Sequence, residues 1–226
     1  MSLDTFPSDW STALVLVAHP DDPEYGMSAG IARWTSEGKR VVYGLATSGE
    51  VGIEGMPAEV AGPAREAEQI ASAAVVGVTE VEFWGFPDSQ VRNSPELRAK
   101  ITEVIERVSP DIVLCTYGGA EFAPGFPNQS DHIEFAAALL DAYDEMTSPP
   151  SQLYWNGPGG THAVDVDGFV EAAVESLACH SKYLEVLDPT TPVIEQARNQ
   201  VATFTKPIDG FDAAHATSFT LMRPKS

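Results

Sequence analysis

A histidine and several carboxylates stand close together near the start of the chain. His19, Asp21, Asp22 and Glu24 lie in one short segment that two prolines interrupt. Imidazole and carboxylate groups are ligands for zinc and similar divalent ions, and a carboxylate beside such ligands can act as a general base. Because proline disrupts helices and interior strands, we predict that this acidic cluster occupies a loop.

A third metal ligand is expected from a second polar segment, Asn-Gln-Ser-Asp-His at 128–132. His19 and Asp22 are close enough in sequence to reach a common ion if the backbone turns between them. His132 is the best candidate to join them. Two imidazoles and one carboxylate leave a coordination position open for water, which is typical of catalytic rather than structural zinc.

The carboxylate between the two predicted ligands has a different expected role. Asp21 neighbours a ligand and has no obvious basic partner in sequence, so we predict that it takes a proton from the attacking water. Glu24 is expected to bond a ligating group or a nearby backbone amide. Taken singly, each such residue is more often a turn or capping residue, and the combination carries the prediction.

These side chains need a buried sheet to position them. The segment 13–18 is a continuous apolar run without polar alternation, which is typical of a strand buried on both faces. Further strands are predicted at about 41–46, 81–86, 111–116, 152–155 and 162–166, with a short β-like tail at 218–222. Helices are predicted at 27–37, 64–76 with Pro63 near its start, 95–108 capped by Ser94, 131–146, 167–183 capped by Asp167, and 192–204.

Strands alternate with helices through the first 146 residues, which indicates a three-layer α/β/α fold with a mostly parallel sheet. No repeat or linker interrupts the chain, so residues 1–226 are interpreted as a single domain with a loose lead-in at 1–11. Open parallel sheets place their chemistry at the carboxyl ends of the strands. Glu50 and Asp88 follow the second and third predicted strands and should share that edge. The loop at 118–130 is long enough to suggest a functional loop.

Composition excludes several classes of partner. The net charge of −20 disfavours nucleic acid and anionic membranes. No apolar run is long enough for a membrane span, and the N-terminus lacks the pattern of a signal peptide. The two cysteines, Cys115 and Cys179, are interpreted as buried free thiols, which favours a reducing, cytoplasmic location. The predicted partner is a small molecule, and a homo-oligomer is allowed.

Five short segments of the sequence resemble the motifs of a known protein family and follow one another in the same order. They are Ala-His-Pro-Asp-Asp-Pro-Glu-Tyr-Gly at 18–26, Thr-Ser-Gly-Glu at 47–50, Arg-Glu-Ala at 65–67, Gly-Phe-Pro-Asp at 85–88 and Ser-Asp-His at 130–132. Together they resemble the signature of the LmbE-like, PIG-L-type N-acetylglucosaminyl de-N-acetylases over roughly residues 12–183. The first block is specific, and the order and spacing of the others reinforce it.

The resemblance implies a Rossmann-like fold, a zinc ion, and hydrolysis of an N-acetyl or related acyl amide on an amino-sugar substrate. The residues themselves leave iron(II) open as an alternative to zinc. It implies metal ligands at His19, Asp22 and His132 and a general base at Asp21. The implied substrate-binding residues are Glu50, Arg65 and Asp88. From the sequence alone, Arg65 could equally be an exposed helix residue or pair with Glu68.

One departure concerns the proton donor. The family usually has His-Pro-Asp-His where this chain has Gln129-Ser130-Asp131-His132. We count Gln129 and Asp131 with Asp21 as catalytic. A glutamine can donate a hydrogen bond to an oxyanion but cannot supply a proton at pH 7. Either Asp21 makes both proton transfers, or another histidine serves, or the activity is weak or different. The other histidines are His162, His180 and His215.

Three rival functions follow. The first is a metal-dependent amidase acting on a non-sugar or thiol-conjugate substrate. The second is a low-activity or non-catalytic sugar-binding homologue, which the glutamine at 129 supports. The third, a nucleotide-binding Rossmann protein, is disfavoured because His-Pro-Asp-Asp stands after the first strand in place of Gly-x-Gly-x-x-Gly.

Overall fold

The computed structural model describes residues 3–224 and contains one large sheet flanked by helices. The strands are β1 (Asp4–Thr5), β2 (Thr12–Val17), β3 (Arg40–Leu45), β4 (Glu80–Phe83), β5 (Ile112–Thr116), β6 (Glu121–Ala123), β7 (Phe126–Pro127), β8 (Gln152–Asn156), β9 (His162–Asp165) and β10 (Ala216–Arg223). The helices are α1 (Ser28–Ser36), α2 (Ala58–Val75), α3 (Pro95–Val108), α4 (Ser130–Glu145), α5 (Val170–Ala178), α6 (Ser181–Leu187) and α7 (Val193–Phe204).

The large sheet has eight strands in the order β1-β9-β10-β8-β5-β2-β3-β4. Strand β10 runs antiparallel to β8 and β9, whereas the other neighbouring strands pair in parallel. The single-domain α/β fold with a mostly parallel sheet is therefore confirmed. Strand β2 lies between β5 and β3, so the loops at the carboxyl ends of these three strands meet at one edge.

Strand β2 is buried on both faces, as its continuous apolar sequence predicts. Its side chains alternate between two hydrophobic clusters. Val15 belongs to the cluster that contains residues of α1, α2, α5, α6 and α7, and Leu16 belongs to the cluster that contains residues of α3 and α4. Both side chains have no exposed surface. This alternation confirms the three-layer arrangement and holds the end of β2 rigidly.

Most predicted elements are present with ends shifted by one or two residues, but the helix predicted at 64–76 begins earlier. Helix α2 starts at Ala58, which leaves Pro63 inside the helix rather than near its start. Proline lacks an N–H group, so the carbonyl four residues before it loses its helical partner. The earlier start brings more of α2 alongside the loop that follows β3, where Gly62 leaves little room for a side chain next to Glu50.

The single helix predicted at 167–183 is also wrong. The chain forms α5 and α6, separated at Cys179 and His180, and the α5 cap position is Phe169. Asp167 instead accepts hydrogen bonds from the backbone N–H groups of Ala214 and His215, at 3.1 and 2.8 Å. The break places His180 in the interior, where it has no exposed surface. Contacts from distant parts of the chain override the local helical pattern here.

Other differences are local. The lead-in is not entirely loose, because β1 pairs in parallel with β9, whereas residues 1 and 2 lie outside the described range. The long loop after β5 contains the hairpin formed by β6 and β7.

Cys115 is buried, but Cys179 is partly exposed, and both thiols are free. Among residues 3–224, no helix combines the length and apolar character that crossing a membrane requires.

Candidate active site and metal centre

The predicted site residues meet at the carboxyl edge of the sheet. The loop after β2 carries His19 and Asp22, and the loops after β3 and β4 carry Glu50 and Asp88. His132 enters from the first turn of α4, which follows β5 and its hairpin. The sequence-based expectation that these segments share one edge of the sheet is confirmed.

Three donor groups converge as expected for one metal ion. His19 Nδ1 lies 3.3 Å from His132 Nε2, which in turn lies 2.9 Å from Asp22 Oδ1. All three side chains are buried. Donor atoms about 2 Å from a tetrahedral zinc ion lie about 3.3 Å from one another. The residues His19, Asp22 and His132 therefore fit a zinc ion in both chemical type and spacing.

Each of these side chains is oriented by a further contact. Asp22 Oδ2 accepts hydrogen bonds from the backbone N–H groups of Ala18 and His19, at 3.1 and 2.9 Å. His132 Nδ1 lies 2.9 Å from Asn128 Oδ1, so a proton on Nδ1 leaves the Nε2 lone pair free for a metal. Burial raises the pKa of Asp22, but the charge and hydrogen bond of His132 outweigh it and lower the pKa to about 2.

The opposite nitrogen of His19 faces two acids. Its Nε2 atom lies 3.2 Å from Asp131 Oδ2 and 3.3 Å from Asp88 Oδ1. These three side chains form a second possible ligand group. If Nε2 of His19 carries a proton, it donates to Asp131 and Asp88 without any metal ion. Nδ1 of His19 is then available to bind a metal together with Asp22 and His132. Burial lowers the pKa of His19, but its hydrogen bonds with Asp131 and Asp88 outweigh burial and raise the pKa to about 10.

The predicted base lies beside the ligands in an uncommon backbone conformation. Asp21 has φ 81°, a region that residues other than glycine seldom occupy. Its Oδ2 atom lies 3.3 Å from Arg65 Nη2. Burial raises the pKa of Asp21 to about 6, although the Arg65 and His180 charges oppose the shift.

Arg65 is a buried part of this site, so its interpretation as an exposed residue or a partner of Glu68 is wrong. Its guanidinium donates to the carbonyl oxygens of Pro20 and Gly49, at 2.7 and 3.2 Å. The guanidinium carbon also lies 4.5 Å from the centre of the Tyr183 ring. Any side chain in place of the hydrogen at Gly49 would lie 2.3 Å from Arg65 Nη1, which explains the glycine.

The loops after β3 and β4 are cross-linked through two carboxylates. Glu50 Oε1 accepts from the backbone N–H of Asp88 at 2.9 Å, and Asp88 Oδ2 accepts from the backbone N–H of Val51 at 3.0 Å. Burial raises the pKa of Asp88, but the hydrogen bonds from His19 and Val51, together with the charges of His19 and Arg65, outweigh this effect, and the pKa is lowered. The structure thus places Asp88 against His19, and Glu50 behind Asp88.

A cavity of about 110 Å³ opens beside the ligands. Its walls are formed by His19, Asp21, Asp22, Gly52, Arg65, Asp88, Ser89, Gln129 and Tyr183. Gln129 is exposed at the rim. Glu50, Asp131 and His132 do not belong to the wall. The sequence-based reasoning missed Gly52, Ser89 and Tyr183; the tyrosine comes from α6, which no motif connects to the first loop.

None of the three remaining histidines lines this cavity. His180 Nε2 lies 3.4 Å from Glu24 Oε2 in the interior. His162 lies in β9, and His215 pairs with Asp167 at 2.9 Å. The geometry therefore offers no histidine among these three to replace the one that the family carries at the position of Gln129.

Part of the chain matches a known protein family. Residues 14–143, more than half of the chain, match the family model described as PIG-L, GlcNAc-PI de-N-acetylase. The matched segment contains His19, Asp21, Asp22 and His132.

Curated relatives are deacetylases. A diacetylchitobiose deacetylase of Thermococcus kodakarensis is 33% identical over 111 residues, which cover 47% of this chain and 41% of the relative. A 1D-myo-inositol 2-acetamido-2-deoxy-alpha-D-glucopyranoside deacetylase of Thermobispora bispora is 31% identical over 194 residues, which cover 73% of this chain and 62% of the relative. The chain thus spans about half the length of the curated relatives it matches.

Solved structures share the fold. N,N'-diacetylchitobiose deacetylase from Pyrococcus horikoshii superposes with a TM-score of 0.81 at 18% identity, covering 95% of this chain and 84% of that one. GalB, a 4-carboxy-2-hydroxymuconate hydratase from Pseudomonas putida, superposes with a TM-score of 0.71 at 18% identity, covering 96% and 98%. Because a deacetylase and a hydratase share this architecture, the arrangement of the site must identify the chemistry.

Proposed function

Because the chain belongs to the PIG-L, or LmbE-like, family of de-N-acetylases, we propose that it is a zinc-dependent hydrolase of amino-sugar amides. Its substrate is a small molecule that carries an N-acetyl or related acyl group on an amino sugar. The observation that carries this proposal is the convergence of His19, Asp22 and His132 on one candidate metal position, with the carboxylate of Asp21 in the wall of the adjoining cavity.

The buried donor set supports a catalytic metal. In this proposal His19, Asp22 and His132 hold zinc, with iron(II) as the alternative ion. The bound metal supplies Lewis-acid chemistry, which polarises a carbonyl and lowers the pKa of water. Asp131 contacts Nε2 of His19 and orients that ring. Asp131 therefore affects the reaction only through His19.

Two side chains of the cavity wall then act on the substrate, and Asp21 makes both proton transfers. Asp21 accepts a proton from the water that attacks the amide carbon. Gln129 donates a hydrogen bond from its amide group to the oxyanion that develops on the former carbonyl oxygen. When the carbon–nitrogen bond breaks, Asp21 returns the proton to the departing nitrogen, because none of the other histidines reaches the cavity. The products are a free amine and a carboxylic acid, which then loses its remaining proton to solvent.

Substrate recognition is assigned to side chains in and behind the cavity wall. The cavity of about 110 Å³ suits a small acyl group better than a whole sugar. We assign Asp88 and Ser89 to contacts with sugar hydroxyl groups, since a carboxylate accepts hydrogen bonds from hydroxyl donors. We assign Arg65 to substrate binding through the cavity wall, and Glu50 to the same function through its hydrogen bond to Asp88.

Acetate release tests the proposal. Zinc-loaded protein is incubated with N-acetylglucosamine, diacetylchitobiose and N-acetylglucosaminyl-inositol, and in parallel with acyl amides that lack a sugar and with thiol conjugates. We expect acetate from at least one amino sugar and much slower release by Asp21→Asn protein. Metal-replete protein that binds these sugars and releases no acetate would contradict the proposal and indicate a sugar-binding protein. Release only from the other amides would indicate an amidase of different specificity.

A further inference from the structure

One helix holds both ends of a single peptide bond in the first loop. Arg65 Nη2 donates to the carbonyl oxygen of Pro20 at 2.7 Å, and Gln69 Oε1 accepts from the backbone N–H of Asp21 at 2.8 Å. This carbonyl and this N–H belong to the same peptide unit. Arg65 and Gln69 are four residues apart on α2 and therefore lie on the same helix face. The Pro20–Asp21 peptide plane is thus clamped from one side of the loop.

The residue that follows the clamped peptide, Asp21, has an unfavourable backbone conformation. Asp21 has φ 81°, where the side chain of an L-residue crowds its own backbone. The carbonyl of Asp21 also accepts from the backbone N–H groups of Glu24 and Tyr25, at 2.8 and 3.2 Å. A strained residue persists only where its surroundings determine its conformation. The clamp and this turn together supply that constraint.

The orientation of the Gln69 side chain is itself determined. Its Nε2 group donates to Glu24 Oε1 at 3.0 Å, so its oxygen must face the N–H of Asp21. The other oxygen of Glu24 lies 3.4 Å from His180 Nε2. Gln69 and His180 have no exposed surface, and Glu24 is 1% exposed. A glutamine without partners would be costly in this interior, whereas here both ends of its amide are satisfied.

We infer that Gln69 is a positioning residue, which, with Arg65, holds the Pro20–Asp21 peptide so that the Asp21 carboxylate is presented to the cavity. This inference rests on the proposed function, in which Asp21 carries the proton. Gln69 is not part of the cavity wall and acts only through Asp21. An apolar side chain of the same length would fill the space but leave the N–H of Asp21 and an oxygen of Glu24 without partners.

The test compares Gln69→Met with Ser72→Ala. Both positions are buried on α2, and Ser72→Ala removes a buried 2.8 Å hydrogen bond to Ser176 that lies outside the clamp. For Gln69→Met we expect kcat to fall about tenfold, the effect of one lost hydrogen bond in the transition state. We expect KM to change less than twofold, the zinc content to stay constant, and the Asp21 amide hydrogen to exchange faster. Ser72→Ala should leave kcat and the exchange of Asp21 unchanged.

The exchange measurement separates this inference from the proposed function. If the wild-type protein releases no acetate, the proposed function fails, whereas the exchange rate of Asp21 still reports on the clamp. Gln69→Met protein with wild-type kcat overturns the inference, and so does a loss of kcat without faster exchange at Asp21. If Gln69→Met does not fold, Gln69→Glu replaces it. That variant keeps an acceptor oxygen for Asp21 but replaces the donor to Glu24 with a second carboxyl group, so we expect kcat to fall and the exchange of Asp21 to become faster. No change in either measurement would overturn the inference.

Discussion

His132 Nε2 lies 2.9 Å from Asp22 Oδ1, although 110 residues separate them in the chain. This contact joins the loop after β2 to the first turn of α4. Both side chains are buried, and each has a second hydrogen bond that sets its orientation. A metal bound between them would therefore connect two distant segments of the folded chain and bind only weakly to the unfolded one.

Zinc should stabilise the folded protein through His132. A ligand present at one hundred times its dissociation constant stabilises the native state by about 2.7 kcal/mol. We expect zinc to raise the Tm of the wild-type protein and a chelator to reverse the rise, measured by calorimetry. His132→Ala should abolish both effects and reduce the bound zinc measured by elemental analysis. His215→Ala serves as control, because His215 pairs with Asp167 at the surface. A full zinc complement in His132→Ala protein would exclude His132 as a ligand.

Asp21→Asn should remove catalysis and preserve the metal. Asparagine has the same shape and tolerates positive φ better than most residues, so the loop keeps its conformation. Loss of a general base typically lowers the rate by about 10²- to 10⁴-fold. We expect a fall of this size in kcat together with an unchanged zinc content. Asp21→Asn protein with wild-type turnover would show that the proton is taken elsewhere.

Gln129 should limit the rate because it cannot supply a proton. Gln129→His introduces the family's usual residue at the cavity rim and adds a group that titrates near neutral pH. Because histidine can protonate the departing amine, we expect kcat to rise by about tenfold or more, which is within the range of general acid catalysis. Gln129→Ala, the paired variant, should lower kcat by about 10²-fold through loss of a hydrogen-bond donor to the oxyanion. If neither substitution changes kcat, Gln129 lies outside the reaction.

Ser109→Gly should stabilise the protein. Ser109 ends α3 with φ 49° and ψ 56°, the left-handed conformation in which glycine is preferred. Relief of this conformation, offset by the backbone entropy of glycine, should add about 0.5 to 1 kcal/mol to the free energy of unfolding. Urea titration measures the change. Ala99→Gly, at an exposed helical position of α3, should destabilise by about 1 kcal/mol. Destabilisation by Ser109→Gly would contradict this account of the helix end.

Asp111 should make stability depend on acid pH. Its Oδ2 atom accepts from the backbone N–H groups of Ser11 and Thr12, at 2.7 and 2.9 Å, and these hydrogen bonds lower its pKa. Because the folded pKa lies below the unfolded value of about 3.9, the contribution is complete above that pH and is lost as pH falls through the folded pKa. Asp111→Asn should therefore lower Tm at pH 7 and match the wild type at strongly acidic pH. A Tm difference that is the same at every pH would contradict this role.

The sequence was sufficient to predict the sheet and the segments that carry the site. Strand β2 is a continuous apolar run that ends in a loop with two prolines, so its burial and its end follow from local chemistry. Strands and helices that alternate along the chain bring the carboxyl ends of parallel strands to one edge. That rule predicts that Asp88, which follows the third predicted strand, lies at the same edge of the sheet as His19.

Other features depend on contacts between distant segments, which local patterns do not contain. The sequence gives no reason to distinguish Gln69 from other polar helix residues. The tertiary structure nevertheless buries it against the backbone of Asp21. Tyr183 reaches the cavity only because the chain breaks at His180 and starts a new helix. The sequence by itself thus determined most of the parallel strands and which edge of the sheet bears the chemistry. The tertiary structure decided which side chains hold the base in place, because buried polar groups take their partners from whatever distant segment packs against them.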